Sequence, residues 1–143
     1  MNSAVSVSRT PDGWRFVVSR AIDAPREVVW ELFVEPQYWP EWGPSVTAVD
    51  CPDRRIRTGT RGRIRALGGR WVSFEVTSCA GHRWTWRVAG IPATGHRVVV
   101  DGRRSRASFE VPIVAMPYIV VCDRALKRLQ VLAIELESTG EQS

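Results

Sequence analysis

Apolar and polar positions change period three times along the chain. Trp14 to Ile22 is dense in aromatic and β-branched residues and reads as a strand, stopped by Asp23-Ala24-Pro25. Val28, Val29, Leu32 and Phe33 then share one helical face. Pro25 suits the first helical position, because its missing N–H would have no partner there, and Pro36 ends the helix. A second helical turn is predicted over Gln37–Trp42, stopped by Gly43-Pro44. From Ser45 to Val111 the period falls to two. Runs 46–49, 62–67, 71–77, 84–88, 97–100 and 105–111 are separated by turn signals such as Gly68-Gly69, Gly90-Ile91-Pro92 and Asp101-Gly102, which predicts an antiparallel meander. From Pro117 to Glu137 the apolar residues Tyr118, Cys122, Leu126, Leu129, Leu132, Ala133 and Leu136 recur every three or four positions, an amphipathic helix of about 20 residues.

Taken by twos, the strands separate two populations. Ile64, Phe74, Val76, Trp84, Trp86, His96, Val98, Val100, Phe109 and Val111 fall on one parity, while Arg61, Arg63, Arg65, Arg87, Arg97, Arg104, Arg106 and Glu110 fall on the other. One sheet face must be covered, and only the C-terminal helix is long enough to cross it. The expected fold is α+β, with one antiparallel sheet of about seven strands, two short helices after the first strand, and the long helix lying on the sheet. Residues 1–137 form one domain and 138–143 a disordered tail.

The segment Ile22-Asp23-Ala24-Pro25-Arg26-Glu27-Val28-Val29-Trp30, followed by Tyr38-Trp39-Pro40-Glu41-Trp42-Gly43-Pro44, resembles the opening of the polyketide cyclase/dehydrase group. That group lies within the START-like (SRPBCC, birch-pollen-allergen-like) superfamily. Trp84-x-Trp86, Gly95-His96, and Gly102 ahead of Arg106 are similar to the same group's middle, so the likeness covers about residues 14–137. It implies a helix-grip fold, in which a strongly curved antiparallel sheet wraps the long helix and leaves a cavity between them. It also implies binding of lipid- or polyketide-like molecules or, in some members, cyclisation, aromatisation or dehydration.

Composition narrows the remaining choices. The chain has 143 residues, enough for a core without staples, and its three cysteines (Cys51, Cys79, Cys122) show no paired spacing, so neither a disulfide framework nor a structural zinc site is expected. No leader is evident in residues 1–13. The longest apolar run, 111–122, contains Pro112 and Pro117 and is too short to span a membrane, so a cytoplasmic protein with no integral membrane segment is expected. The net charge is +5, and all the basic residues but Lys127 are arginine. Outer-face arginines could meet nucleic acid or an anionic membrane. Aromatic residues do not interleave with them on that parity, however, so no nucleic-acid partner is expected.

The candidate ligand-binding residues are Trp39 and Trp42 at the rim, with Phe74, Trp84, Trp86, His96, Phe109, Tyr118, Cys122, Leu126 and Leu129 inside. His96 is the one strong inward polar group, either a satisfied core histidine or a contact to a ligand hydroxyl or carbonyl. His96 and Tyr118 are the catalytic candidates if the protein is a polyketide cyclase or dehydratase. No cofactor or metal is expected, since no histidine, cysteine or carboxylate spacing supports one. The favoured expectation is a carrier or sensor of a small hydrophobic molecule, with a homodimer through an exposed strand edge left open.

Overall fold

The computed structural model describes residues 3–142; Met1, Asn2 and the last tail residue, Ser143, lie outside the described residues. Eight strands form one antiparallel sheet in the order β1-β2-β8-β7-β6-β5-β4-β3. The strands are β1 (Ala4–Thr10), β2 (Gly13–Ile22), β3 (Val46–Asp50), β4 (Arg61–Ala66), β5 (Trp71–Ala80), β6 (Arg83–Val88), β7 (Ile91–Asp101) and β8 (Arg104–Pro112). Helix α1 (Arg26–Val34), a 3-10 turn (Pro36–Tyr38) and α2 (Trp39–Trp42) join β2 to β3. A 3-10 segment (Ile113–Tyr118) leads from β8 into α3 (Ile119–Gln142). The sheet curves around α3, as the family resemblance implies, and the buried residues of both form a single core with α1.

β1 is the element that periodicity missed. Val5 and Val7 alternate with Ser6 and Ser8, but the strand sits at the sheet edge with both valines exposed, so its alternation marks no core face. Its register places Val5, Val7 and Arg9 opposite Val18, Phe16 and Trp14. β7 is longer than expected because the turn closes at Ala89-Gly90, both in the left-handed region, which leaves Ile91 and Pro92 in the strand. α3 runs on through Ser138–Gln142, where a frayed tail was expected.

Two expectations of exposure or burial fail at identifiable places. Val100 sits at the end of β7 beside Pro25 and Arg26, past the cover of the core, and is exposed. Glu110, expected in solvent, is 4% exposed. It is out of phase with Phe109, as the pattern says, but Arg83 reaches over it with hydrogen bonds of 2.7, 3.1 and 3.2 Å and with 2.7 Å to Asp12. The arginine pKa is raised chiefly by the Glu110 hydrogen bonds. Beneath the carboxylate lies Gly95, where a Cβ would come within 2.8 Å of Glu110 Oε1.

Irregularities in pairing bend the sheet. Between Thr85↔Gly95 and Arg87↔Pro92, β6 advances two residues while β7 advances three. The extra residue sets Ala93 and Thr94 together against Trp86, and Thr94, inward on the parity of His96, lies 3.1 Å from the indole Nε1.

Candidate ligand-binding cleft

The short α2 positions the site from one side. Helix α1 ends with backbone carbonyls that have no intrahelical partner, and two indoles satisfy them: Trp39 Nε1–H donates to Phe33 O at 2.9 Å and Trp42 Nε1–H to Leu32 O at 2.8 Å. Both tryptophans are thereby drawn into the core, at 1% and 6% exposure, and do not form the exposed rim expected from sequence. Gly43 follows them with its backbone against the Trp39 carbonyl, too close for a Cβ at 2.9 Å.

Trp39, Trp84 and His96 stack in that order. The first pair lies 5.2 Å apart at 5° and the second 3.8 Å apart at 11°. Phe33, Trp42, Trp86 and Phe109 meet the His96 ring edge-on or tilted, an arrangement in which each aromatic pair contributes about 0.5–1.5 kcal/mol beyond its buried area. His96 is fully engaged. Its Nδ1 lies 3.3 Å from the Trp84 carbonyl, which can only accept, so that nitrogen carries the proton; Nε2 lies 3.1 Å from Thr94 Oγ1 and accepts from it. A chain of donors therefore runs from Trp86 through Thr94 to His96. Burial pushes the His96 pKa down to about 3, against the hydrogen bond to Trp84 and with help from the Arg83 charge, so the ring is neutral. The indole N–H of Trp84 is buried without a partner, an uncompensated cost of about 1–3 kcal/mol.

The cleft opens beside this stack, between the Gly43–Val46 turn and the start of α3. Trp39, Trp42, Trp86 and His96 line its floor with Phe109, and Tyr118 and Cys122 line its outer wall. Phe74, Trp84, Leu126 and Leu129 are buried in the core and do not reach it. Sequence reasoning missed Ser45, Val46, Thr94, Val121 and Ala125. Thr94 shares the parity of His96, and Val121 and Ala125 fall one turn from Tyr118 and Cys122, so strand and helix spacing could have found these three. Ser45 sits in an irregular turn with no such signal. The free volume is about 30 Å³, room for about two water molecules. The space expected between sheet and helix is thus largely filled by aromatic side chains.

One contact closes the mouth: the hydroxyls of Ser45 and Tyr118 lie 2.5 Å apart. Burial raises the Tyr118 pKa, the Ser45 hydrogen bond opposes that shift, and Cys122 adds to it. The Cys122 thiol is pushed up to about 12 by burial, so it is a packing group and not a nucleophile. Tyr118 ends the 3-10 segment, none of whose residues is buried and which is kinked at Ala115. Among the described residues no cluster of histidine, cysteine and carboxylate groups could hold a metal ion.

A curved antiparallel sheet gripping a C-terminal helix, with an aromatic-floored cleft at one end of the helix, defines a helix-grip domain of the START-like class. The family described as polyketide cyclase / dehydrase and lipid transport matches residues 13–117, and the chain belongs to it. The fold is similar to that of protein Ms6760 from Mycobacterium smegmatis (TM-score 0.63, 16% identity, covering 93% of this chain and 99% of that one). XoxI from Bacillus cereus (TM-score 0.65, 15% identity, 85% and 96% covered) and Ara h 8.0201 (TM-score 0.62, 9% identity, 92% and 99% covered) share it too. No curated protein matches the sequence. No helix among the described residues is long and apolar enough to cross a membrane.

Proposed function

We propose that this protein binds a small hydrophobic ligand, lipid- or polyketide-like, in the cleft floored by Trp39, Trp42 and Trp86, as a carrier or sensor. The observation that carries the proposal is the closure itself. An aromatic floor with one polar chain, Trp86-Thr94-His96, lies below a mouth bridged by one hydroxyl–hydroxyl contact, whose Tyr118 ends a segment with no buried residue. The closed volume admits only water, so binding requires residues 113–118 to swing outward. Ala115 alone of their apolar side chains packs against the core, so that motion gives up little buried contact.

The alternative is a cyclase or dehydratase working through His96 or Tyr118. Burial acts against both roles, since the imidazole becomes a weaker base and the phenol a weaker acid. Non-catalytic binding is the better-supported reading.

Native mass spectrometry of the purified protein, with titration of a long-chain fatty acid and a polycyclic phenol followed by tryptophan fluorescence, tests this function. A retained organic mass or saturable quenching is expected. Val121→Trp should block binding by filling the mouth, and Tyr118→Phe should accelerate it. No response to either probe, or unchanged binding by a folded Val121→Trp variant, would overturn the proposal.

A further inference from the structure

Several of the large apolar side chains this protein leaves in solvent lie together where β8 leaves the sheet. Pro112 pairs with Arg15, so Ile113 and Val114 leave the sheet beside Trp14. Trp14, Ile113, Val114 and Met116 are all exposed, Val114 at 96%. The same surface continues along the solvent side of α3. At 3.6 residues per turn, Val120, Arg124, Lys127, Val131 and Ile134 fall within about a quarter turn of one another, opposite the buried Cys122, Leu126 and Leu129. An outward helix face that alternates large apolar residues with cations is not what solvation requires.

Charge separates the possible occupants. Arg9, which lies opposite Trp14 in the β1–β2 register, and Arg124 and Arg128 make no ion pair among the described residues. Of the nearby acids, Asp12 is committed to Arg83 and Asp123 to Lys127, and the exposed Glu135, a turn past Val131, is the one acid on this helix face without an ion pair among the described residues. A second copy docking through this face about a two-fold axis would gather Arg9, Arg124 and Arg128 of both copies into one interface, with Glu135 of each copy the one acid on the helix face to offset them. A protruding apolar tip with a rim of unpaired arginine instead matches an anionic phospholipid surface, where the tip enters the acyl region and the guanidinium groups meet phosphates.

We infer that the protein docks on anionic lipid membranes through the Trp14 and Ile113–Met116 tip and the outward face of α3. Docking places the Tyr118–Ser45 closure at the lipid boundary and acts on the very segment that must move for the cleft to open. The surface binds lipid whether or not the cleft holds a ligand, so the two proposals fail separately.

Vesicle co-sedimentation tests it, with phosphatidylcholine vesicles prepared with and without phosphatidylglycerol, at low and high salt. The wild-type protein should pellet with the anionic vesicles only, and less at high salt. The double variant Val114→Asp/Met116→Asp and the double variant Arg124→Glu/Arg128→Glu should each lower the partition coefficient by about tenfold or more. All four positions are exposed, so both variants should keep the wild-type melting temperature. Wild-type protein that stays in the supernatant overturns the inference, as does a tip variant that binds normally. A concentration-dependent dimer abolished by the same substitutions would assign the face to a second copy instead.

Discussion

His96 imposes a pH dependence on the stability of this fold that can be worked out from its surroundings. The ring is 1% exposed, and burial lowers its pKa from 6.5 to about 3. An unfolded chain takes up a proton near the upper value, whereas the folded chain excludes it until near the lower one. Stability from this group is therefore complete above the unfolded pKa and is lost as pH falls towards the folded pKa, at about 1.4 kcal/mol per pH unit between the two. From about pH 7 to about pH 4.5 the loss is about 2 to 3 kcal/mol. The lower pH stays above the folded pKa, so the size of the loss is set almost wholly by the unfolded value.

Urea unfolding of wild type and His96→Gln at those two pH values, followed by tryptophan fluorescence, isolates this contribution. Glutamine offers a donor and an acceptor to Trp84 O and Thr94 but does not titrate. The variant should be less stable at neutral pH, and its stability should fall on acidification by about 2 to 3 kcal/mol less than that of wild type. Equal pH dependence in the two proteins, to within about 0.5 kcal/mol, would refute the buried neutral histidine.

Three further outcomes follow from the packing. Gly95→Ala puts a Cβ 2.8 Å from Glu110 Oε1 and should cost about 2 to 3 kcal/mol by displacing the carboxylate from Arg83, seen as a lower melting temperature; an unchanged melt contradicts the wedge. Trp42→Phe leaves the Leu32 carbonyl without its indole donor and should destabilise by about 1 to 3 kcal/mol in urea, and an unchanged unfolding midpoint would contradict that role for the indole. At mildly alkaline pH the Cys122 thiolate should be about a thousandfold scarcer than that of an ordinary thiol, so peptide mapping after brief treatment with an aromatic disulfide reagent should find it unmodified, and prompt labelling of folded protein would contradict that.

Much of the architecture was legible in the chain because periodicity reports burial directly. Ile64, Phe74, Val76, Val98, Phe109 and Val111 lie on the buried face that alternation assigned them, and Cys122, Leu126 and Leu129 face the sheet at the helical spacing that predicted it. Ala-Pro and Val-Trp at the start of α1, with Trp84-x-Trp86 further on, were enough to point to the family. β1 was not legible, because an edge strand exposed on both faces has no buried parity to display.

What only the tertiary structure decided were the relations between elements. Strand parity places His96 inside but cannot say that Trp84 stacks on it, or that Thr94 and a backbone carbonyl take up both its nitrogens. Parity likewise leaves Glu110 on the outer face and cannot see Arg83 arriving from two strands away to bury it. The loop tryptophans read as a rim from sequence, yet the unpaired carbonyls at the end of α1 draw both inward, and the opening falls to Ser45 and Tyr118. A one-dimensional pattern records which side of its own element a residue occupies. Which donor meets which acceptor, and how much space is left between them, depends on contacts between residues far apart in the chain.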